Sequence, residues 1–143
     1  MDCAVGAGTF QPVKAEDIKD HKIHSEYAHV TSEVVNKILQ AKAKGKKVTA
    51  VGTTVTRALE SAFHKRTPGD FKGYTELYIT PGFSFQAVDR LITNFHLPKS
   101  SLLMLVAAFV GVKEMKDLYN HAVKNQYRFL SYGDAMMINK KNV

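Results

Sequence analysis

The chain contains 143 residues, enough for one domain with a hydrophobic core of its own. With 45% hydrophobic and 23% charged residues it has the composition of an ordinary soluble globular protein, and its one cysteine, Cys3, excludes an intrachain disulfide framework. The net charge of +7 favours an anionic partner such as nucleic acid, a phosphorylated ligand or a membrane surface, with an inert basic surface as the alternative.

The sequence predicts neither secretion nor membrane insertion. The N-terminus lacks the apolar segment of a signal peptide, and the longest apolar run, residues 102–112, is shorter than the roughly 20 residues that a bilayer span needs. We therefore expect a cytoplasmic protein in which this run is a buried helix. Met1 leads at once into residues 4–10, which are typical of the middle of a fold, and this start favours a fragment or a truncated reading frame.

The first third of the chain predicts a glycine-rich loop, a helical turn and one longer helix. The loop covers Gly6–Pro12 and the turn covers Lys14–Lys19. The helix begins after an N-cap at Thr31 or Ser32 and ends at Gly45. Its apolar positions have helical spacing: Val34, Val35, Ile38 and Leu39.

The middle third predicts a strand, a helix and a second strand. The first strand covers Lys47–Val51, and Gly52-Thr53-Thr54 opens a helix. That helix has a core-facing stripe of Val55, Ala58, Leu59, Ala62 and Phe63. After a polar loop over residues 64–73, Thr75–Thr80 reads as a strand that Pro81-Gly82 ends.

The last third predicts a strand over Val88–Phe95 and then the buried helix, capped by Ser100 or Ser101. An amphipathic helix follows over Lys113–Asn125, with Met115, Leu118, Tyr119 and Ala122 facing inward. Tyr127–Leu130 and Ala135–Ile138 read as short strands. Strands that alternate with helices predict one α/β domain over residues 1–143, with some parallel strand pairing.

Two polar segments near the N-terminus are candidate binding sites. Gly6, Gly8 and Thr9 do not fit a dinucleotide fingerprint, because Pro12 stands where the helix should continue and the third glycine is absent. Both a tight turn and close backbone approach to a ligand remain open. Further on, Asp20–Tyr27 holds His21, His24 and Glu26, which could line a cleft or form a solvated surface. A metal site is the weakest interpretation, because the segment has no thiolate ligand and no matching distal pair.

The segment Val51-Gly52-Thr53-Thr54 joins a strand to a helix start. Backbone N–H groups and the helix dipole at such a position favour an anion, and simple N-capping by Thr53 or Thr54 is an equal alternative. Arg57, one turn later, could contact a carboxylate or phosphate, or it could pair with Glu60 or Glu76 at the surface.

A polar knot, Asn94 to Ser100, lies between two elements that favour burial. His96 has the chemistry of a general acid or base near neutral pH, and the nearby Asn94, Lys99 and Ser100 make a site as plausible as a structural role. The other candidate is Ser131-Tyr132-Gly133-Asp134, where Asp134 could also be present for its turn-forming preference.

In this order, the segments resemble the C-terminal part of the S-adenosylmethionine:tRNA ribosyltransferase-isomerases of bacterial queuosine biosynthesis. The most specific matches are NFHLPKS (94–100) and FLSYGDAM (129–136). These two lie within longer matches, VDRLITNFHLPKSSLLMLV (88–106) and YRFLSYGDAMMI (127–138). The other matches are VGAGTFQPV (5–13), the run 17–27 that contains HSEY, VGTT (51–54) with Arg57 and LES (59–61), and PGF (81–83).

The resemblance implies that the ribosyl part of S-adenosylmethionine is transferred to 7-aminomethyl-7-deazaguanine at the tRNA wobble position and isomerised to give epoxyqueuosine. S-adenosylmethionine is then a consumed substrate, and no metal is implied. Under this interpretation the acid and base candidates are His96, Asp134, His24 and Glu26. The implied substrate-binding residues are Gly6, Gly8, Thr9, Gly52, Thr53, Thr54, Arg57, Asn94, Lys99, Tyr132 and Gly133.

Two departures from the family pattern qualify this expectation. Family members are more than twice as long, so the chain is expected to be part of a larger α/β domain without the family's N-terminal portion and inserted β-barrel. Val55 also stands where the family usually has serine. A truncated module that binds tRNA or S-adenosylmethionine without turnover is therefore the alternative, and self-association or a missing N-terminal portion could complete the fold.

Overall fold

The computed structural model describes residues 1–3, 25–64 and 67–141. Helices and strands alternate along most of this length, so the predicted α/β class is confirmed. In chain order the elements are β1 (Asp2–Cys3), β2 (Glu26–Val30), α1 (Ser32–Ala43), β3 (Thr49–Val51), α2 (Thr53–Phe63), β4 (Phe71–Thr75), β5 (Arg90–Asn94), α3 (Ser101–Val110), α4 (Val112–Lys124) and β6 (Ala135–Asn139).

The strands form two three-stranded sheets. The first sheet is antiparallel, with the order β1-β2-β4. The second sheet has the order β3-β5-β6, in which β3 and β5 are parallel and β5 and β6 are antiparallel. The β3–β5 pair confirms the expected parallel pairing. The register aligns Ala50 with Leu91 and Leu91 with Ile138, so three buried apolar residues cross the inner face of the second sheet.

Helix α1 has the predicted start and end. The hydroxyl of Thr31 accepts a hydrogen bond from the N–H of Val34, and the chain leaves the helix through Gly45, whose φ of 67° suits glycine. Val35 and Ile38 are buried. Leu39 is 41% exposed, so the apolar stripe is narrower than predicted.

Helix α2 lies between the two sheets and contacts strands of both. Its predicted apolar stripe is mostly buried, and the opposite side is buried too: Thr53, Thr56, Arg57 and Glu60 all have little exposed surface. A helix packed on most of its circumference must satisfy its polar side chains inside the protein. The candidate site depends on how it does so.

The two helices predicted for the last third are confirmed. Ser100 caps α3, since its hydroxyl accepts from the N–H of Leu103 at 3.2 Å. Gly111, with a φ of 103°, ends α3 and starts α4. The four residues predicted to face inward on α4 pack in or against the hydrophobic core. None of the helices in the described ranges has the length and hydropathy that a membrane crossing requires.

Two strand predictions were wrong. The strand after α2 covers Phe71–Thr75 instead of Thr75–Thr80, because pairing with β2 selects the segment around Gly73, which lies opposite Ala28. The segment Tyr127–Leu130 forms no strand. It is a loop in which Leu130 has a φ of 69°, and its N–H donates to the carbonyl of Phe95.

Candidate active site

A cavity of about 250 Å³ opens at the carboxyl ends of the parallel strands β3 and β5. In sheets with parallel strands, ligands commonly bind outside these ends. The cavity joins two segments that the sequence singled out, the start of α2 and the polar knot after β5. The lining residues are Val51, Gly52, Thr53, Thr54, Val55, Thr93, Asn94, His96, Leu97, Ser100, Leu102, Leu130 and Ser131.

His96 is the titratable side chain in this lining, and it is 9% exposed. Its Nε2 atom lies 3.0 Å from the hydroxyl of Thr93, and its backbone N–H donates to the Tyr119 hydroxyl at 3.0 Å. Burial lowers the pKa of His96 from 6.5 to about 4. The imidazole is therefore neutral at physiological pH and can take part in hydrogen bonds there, while the same burial makes it a weaker base than an exposed histidine.

Aromatic packing holds the segment that carries His96. Phe95 is buried and contacts the rings of Tyr119, Tyr127 and Phe129, with centroids 5.4–5.6 Å apart. Offset and edge-on contacts of this kind add to the stabilisation from buried area. The knot between β5 and α3 is thus a packed segment that fixes the place of the imidazole.

The start of α2 forms the opposite wall of the cavity. Gly52 is the N-cap residue, with a φ of 95°, and no side chain caps the helix. Of the two alternatives for this segment, N-capping by Thr53 or Thr54 is therefore wrong, and anion binding stays a prediction. Gly52 can adopt this backbone angle because it has no Cβ, and its N–H donates to the carbonyl of Ile92 on β5. An uncapped helix start that lines a cavity favours an anionic group.

Arg57 and Glu26 form a buried ion pair away from the lining residues. Arg57 Nη1 lies 2.7 Å from Glu26 Oε2, and both side chains are at most 4% exposed. The guanidinium also donates to the carbonyls of Leu77 and Thr75. Of the two alternatives for Arg57, the surface pair with Glu60 or Glu76 is therefore wrong, and contact with a ligand stays a prediction. The pair with Glu26 joins α2 to β2, which is a role in holding the fold together.

Glu60 is a buried polar residue whose role the sequence did not reveal. Its carboxylate is fully buried and accepts three backbone N–H groups, from Gln86, Ala87 and Val88, at 2.8–3.1 Å. Burial raises the pKa of Glu60, although the three N–H donors and nearby His64 act in the opposite direction. The residue thereby ties α2 to the segment before β5. The sequence carried one signal that Glu60 is buried: it lies in the LES match, next to Leu59 of the apolar stripe.

The remaining C-terminal candidates lie around the cavity without lining it, apart from Asn94. Asn94 donates to the carbonyl of Asp134 at 3.2 Å and so fixes the loop before β6. Asp134 accepts from the side chain and the N–H of Arg128, and the side-chain hydrogen bond lowers the pKa of Asp134. Tyr132 is fully exposed, and Lys99 is exposed with a φ of 57°.

Gly133 allows a close approach within the same loop. A Cβ atom there would collide with the backbone carbonyl of Arg128, which explains the glycine without a ligand. The candidates Gly6, Gly8, Thr9 and His24 lie outside the described residues. Within the described ranges, no three side chains of His, Cys, Asp or Glu come together as they would to hold a metal ion.

The chain matches a known protein family over most of its length. The family described as queuosine biosynthesis protein matches residues 2–138. The chain belongs to this family. Both specific sequence matches noted above, at residues 94–100 and 129–136, fall inside the matched region.

Curated relatives of this queuosine biosynthesis family carry an enzyme name. The S-adenosylmethionine:tRNA ribosyltransferase-isomerase of Halothermothrix orenii is 59% identical over 135 residues, which cover 94% of this chain and 40% of that protein. The protein of the same name from Psychrobacter cryohalolentis is 54% identical over 142 residues, covering 96% of this chain and 35% of the relative. The chain thus spans well under half the length of the curated relatives it matches.

A solved structure is similar in fold as well as in sequence. The crystal structure of S-adenosylmethionine tRNA ribosyltransferase from Thermotoga maritima has a TM-score of 0.76 and 47% sequence identity to this chain. The match covers 81% of this chain and 41% of that one. At this identity the likeness supports a common fold and a common family.

Proposed function

We propose that this chain supplies part of the site that transfers the ribosyl group of S-adenosylmethionine to 7-aminomethyl-7-deazaguanine at the tRNA wobble position and isomerises it to epoxyqueuosine. In this proposal residues 1–143 form one α/β domain of a cytoplasmic bacterial enzyme. S-adenosylmethionine is consumed as a substrate, and no metal takes part.

The observation that carries the proposal is the cavity at the ends of β3 and β5. It brings Gly52, Thr53 and Thr54 together with Asn94 and His96, which are separate in sequence. These residues come from two of the segments that resemble the family. Relatives at 54–59% identity that are named for this reaction support the assignment.

The geometry suggests how roles are divided between the two walls. The uncapped start of α2 is suited to a carboxylate of S-adenosylmethionine or a phosphate of the RNA. His96 is the group we assign to accept the acidic proton beside the sulfonium, a step in which the bound substrates must raise its pKa from about 4, and the Thr93 hydroxyl holds its ring by a hydrogen bond. The net charge of +7 favours attraction of tRNA. Glu26 and Asp134 are weaker candidates as acid or base, because each is engaged by an arginine.

A second candidate function is binding of tRNA or S-adenosylmethionine without turnover. The size of the cavity favours it. At about 250 Å³ the cavity is smaller than the roughly 300–1,000 Å³ that usually encloses a drug-sized ligand, so these residues would surround only part of a substrate. The chain also matches only 35–40% of the length of its curated relatives. Part of the catalytic wall would then have to come from outside these residues.

The decisive experiment is adenine release. The 143-residue chain is incubated with S-adenosylmethionine and tRNA that carries 7-aminomethyl-7-deazaguanine, and free adenine is measured by chromatography. We expect release, with a fall of about a hundredfold or more in His96→Ala, as removal of an acid–base group usually gives. The matched control is His121→Ala, which removes an exposed histidine on α4.

The outcomes separate the two candidate functions. Binding of tRNA or S-adenosylmethionine without any adenine would favour the non-catalytic module. Neither release nor binding by a folded chain would reject both. Release that is unchanged in His96→Ala would remove His96 from the mechanism.

A further inference from the structure

A second cavity, of about 710 Å³, lies at the other end of the second sheet, where β5 begins and β6 ends. It shares no lining residue with the cavity that holds His96. Helix α3 begins at the first cavity and ends at the second, and a helix of ten residues is about 15 Å long. The second cavity is therefore separate from the candidate active site, and its volume lies in the range of roughly 300–1,000 Å³ that suits a bound small molecule.

One wall of the second cavity is aromatic. Phe83 and Phe85 line it, with their rings edge-on and their centroids 4.9 Å apart. The ring of His64 stacks on Phe83 at 4.5 Å, and Phe85 makes an edge-on contact with the buried Phe109 at 4.7 Å. These contacts fix the rings before any ligand arrives.

The backbone of the aromatic wall is also held in place. The N–H of Phe83 donates to the carbonyl of Thr80 at 3.0 Å. Just after Phe85, three consecutive N–H groups donate to the buried carboxylate of Glu60. The end of α3 contributes small side chains beside this wall, those of Ala107 and Ala108. A fixed aromatic wall beside small side chains suits a flat aromatic group.

Two lysines that follow β6 also line the second cavity. The backbone N–H of Lys140 donates to the carbonyl of Asp89, and that of Lys141 donates to the carbonyl of Phe109. The Lys140 ammonium donates to the carbonyl of Phe85 at 3.2 Å. Both lysines are thus fixed at the backbone beside the aromatic wall.

Positive charge is in excess at these lysines. Asp89 is shared, since its Oδ1 atom lies 3.7 Å from Lys140 Nζ and 3.1 Å from Lys42 Nζ. Lys141 pairs with Glu114. Three ammonium groups therefore meet two carboxylates, and each ammonium has three N–H donors. The cavity can accept an anion beside its aromatic wall.

We propose that the second cavity binds one nucleotide of the tRNA, with its base against Phe83 and its phosphate at Lys140 and Lys141. Proteins hold unpaired nucleotides by stacking bases on aromatic rings and by placing cations along the backbone. The net charge of +7 favours the same partner. The inference rests on the proposed function for the identity of the RNA. Contacts at both ends of α3 fix the orientation of the RNA relative to the first cavity.

The first test removes a phosphate contact. Binding of end-labelled tRNA that carries 7-aminomethyl-7-deazaguanine is followed by fluorescence anisotropy at several KCl concentrations. Lys141→Gln should lower the slope of log Kd against log[KCl] by about one, because one phosphate contact is lost. The matched control is Lys37→Gln on α1, which removes the same charge from a lysine that pairs with Glu33 as Lys141 pairs with Glu114. The control should keep the wild-type slope.

The second test removes the aromatic ring. Phe83→Leu keeps an apolar side chain, and we expect the Kd for the same tRNA to rise about fivefold or more, as the loss of one stacked base gives. Phe83→Tyr should bind as the wild type does. The control is Phe71→Leu on β4, which replaces another partly buried phenylalanine that lines neither cavity. Circular dichroism checks that every variant is folded.

The proposal is overturned by an unchanged salt slope in Lys141→Gln, by equal affinities of Phe83→Leu and Phe71→Leu, or by a folded chain that binds no tRNA. AMP is the second probe. Binding of AMP that tRNA does not displace would assign the cavity to a free nucleotide instead, whereas displacement by tRNA supports the proposal. The affinity measurements need no turnover, so failure of this inference is distinguishable from failure of adenine release.

Discussion

Helix α2 carries two groups of polar residues that look alike in the sequence but have different surroundings in the structure. The first group lies at its start, where Thr53 and Thr54 line the cavity together with His96. The second group lies one turn further along, where Arg57 pairs with Glu26 and Glu60 accepts three backbone N–H groups. The first group borders empty space, while the second has hydrogen-bond partners within the protein.

The difference teaches how to separate a site from a structural polar cluster. A buried polar group is tolerated when an opposite charge or hydrogen bonds replace water. Arg57 has the opposite charge of Glu26, and Glu60 has three N–H donors. The cavity group combines an uncapped helix start with an imidazole that burial keeps neutral. Such a combination has capacity left for a ligand, so changes there should alter binding more than stability.

The largest expected effect tests the structural side of this comparison. Arg57→Ala removes the guanidinium that faces the buried Glu26 carboxylate. We expect the free energy of unfolding to fall by about 3–5 kcal/mol, as when one partner of a buried ion pair is deleted. Urea unfolding followed by circular dichroism measures the change. The double variant Arg57→Met with Glu26→Leu should recover part of the loss. A fall below about 1 kcal/mol in Arg57→Ala would contradict the structural role of the pair.

A smaller effect concerns the cavity side and its pH dependence. The pKa of His96 is about 4 in the folded protein and ordinarily 6.5, so the unfolded chain binds the extra proton between these values. The stabilisation from the neutral imidazole is complete above pH 6.5 and is lost as the pH falls through 4. We expect a loss of about 3 kcal/mol across this window, measured by urea unfolding at several pH values.

The control for the pH prediction is His96→Gln, and the quantity compared is the wild-type loss minus the loss in this variant. The subtraction is needed because Glu60 has a raised pKa and so contributes with the opposite sign, favouring the folded state as the pH falls. Equal pH dependence of the two proteins would mean that His96 is solvated when folded.

The smallest expected effect concerns the cap at the edge of the cavity. Ser100→Ala removes the hydroxyl that accepts from Leu103 N–H and donates to the carbonyl of Leu97 at 2.8 Å. We expect a loss of about 1 kcal/mol, as for other N-caps, measured by thermal or urea unfolding. Thr31→Ala is the control, and it should cost less because its hydrogen bond to Val34 is longer, at 3.4 Å. A larger loss in Thr31→Ala would contradict this order.

The sequence was most informative where local signals and periodicity agree. Apolar spacing predicted α1 with a cap at Thr31 or Ser32, and a continuous apolar run predicted α3 with a cap at Ser100 or Ser101. The structure uses the first residue of each pair. The sequence was least informative where pairing partners decide. The strand near residue 75 was placed too late, because the partner β2 is separated from β4 by the whole of α1, β3 and α2. Turn chemistry at Leu130 likewise overrode a strand-like composition.

The sequence predicted which segments form the candidate site, but it did not predict which side chains contact each other there. The sequence indicated Gly52 and His96, and the fold brings both to one cavity. It could not indicate that Arg57 points to Glu26, because that contact joins residues 31 positions apart. The low pKa of His96 also arises from tertiary burial, which the polar neighbours in the sequence obscured.

The path of the chain between β3 and β5 has a consequence for folding. After β3 the backbone passes through α2, contributes β4 to the first sheet, and only then returns to pair β5 with β3. The parallel pair therefore closes a long loop whose interior belongs to the other sheet. Such non-local closure is slow, since the entropy of the loop is lost before the contacts form. Because the connection between β3 and β5 runs through the first sheet, we expect the two sheets to unfold together.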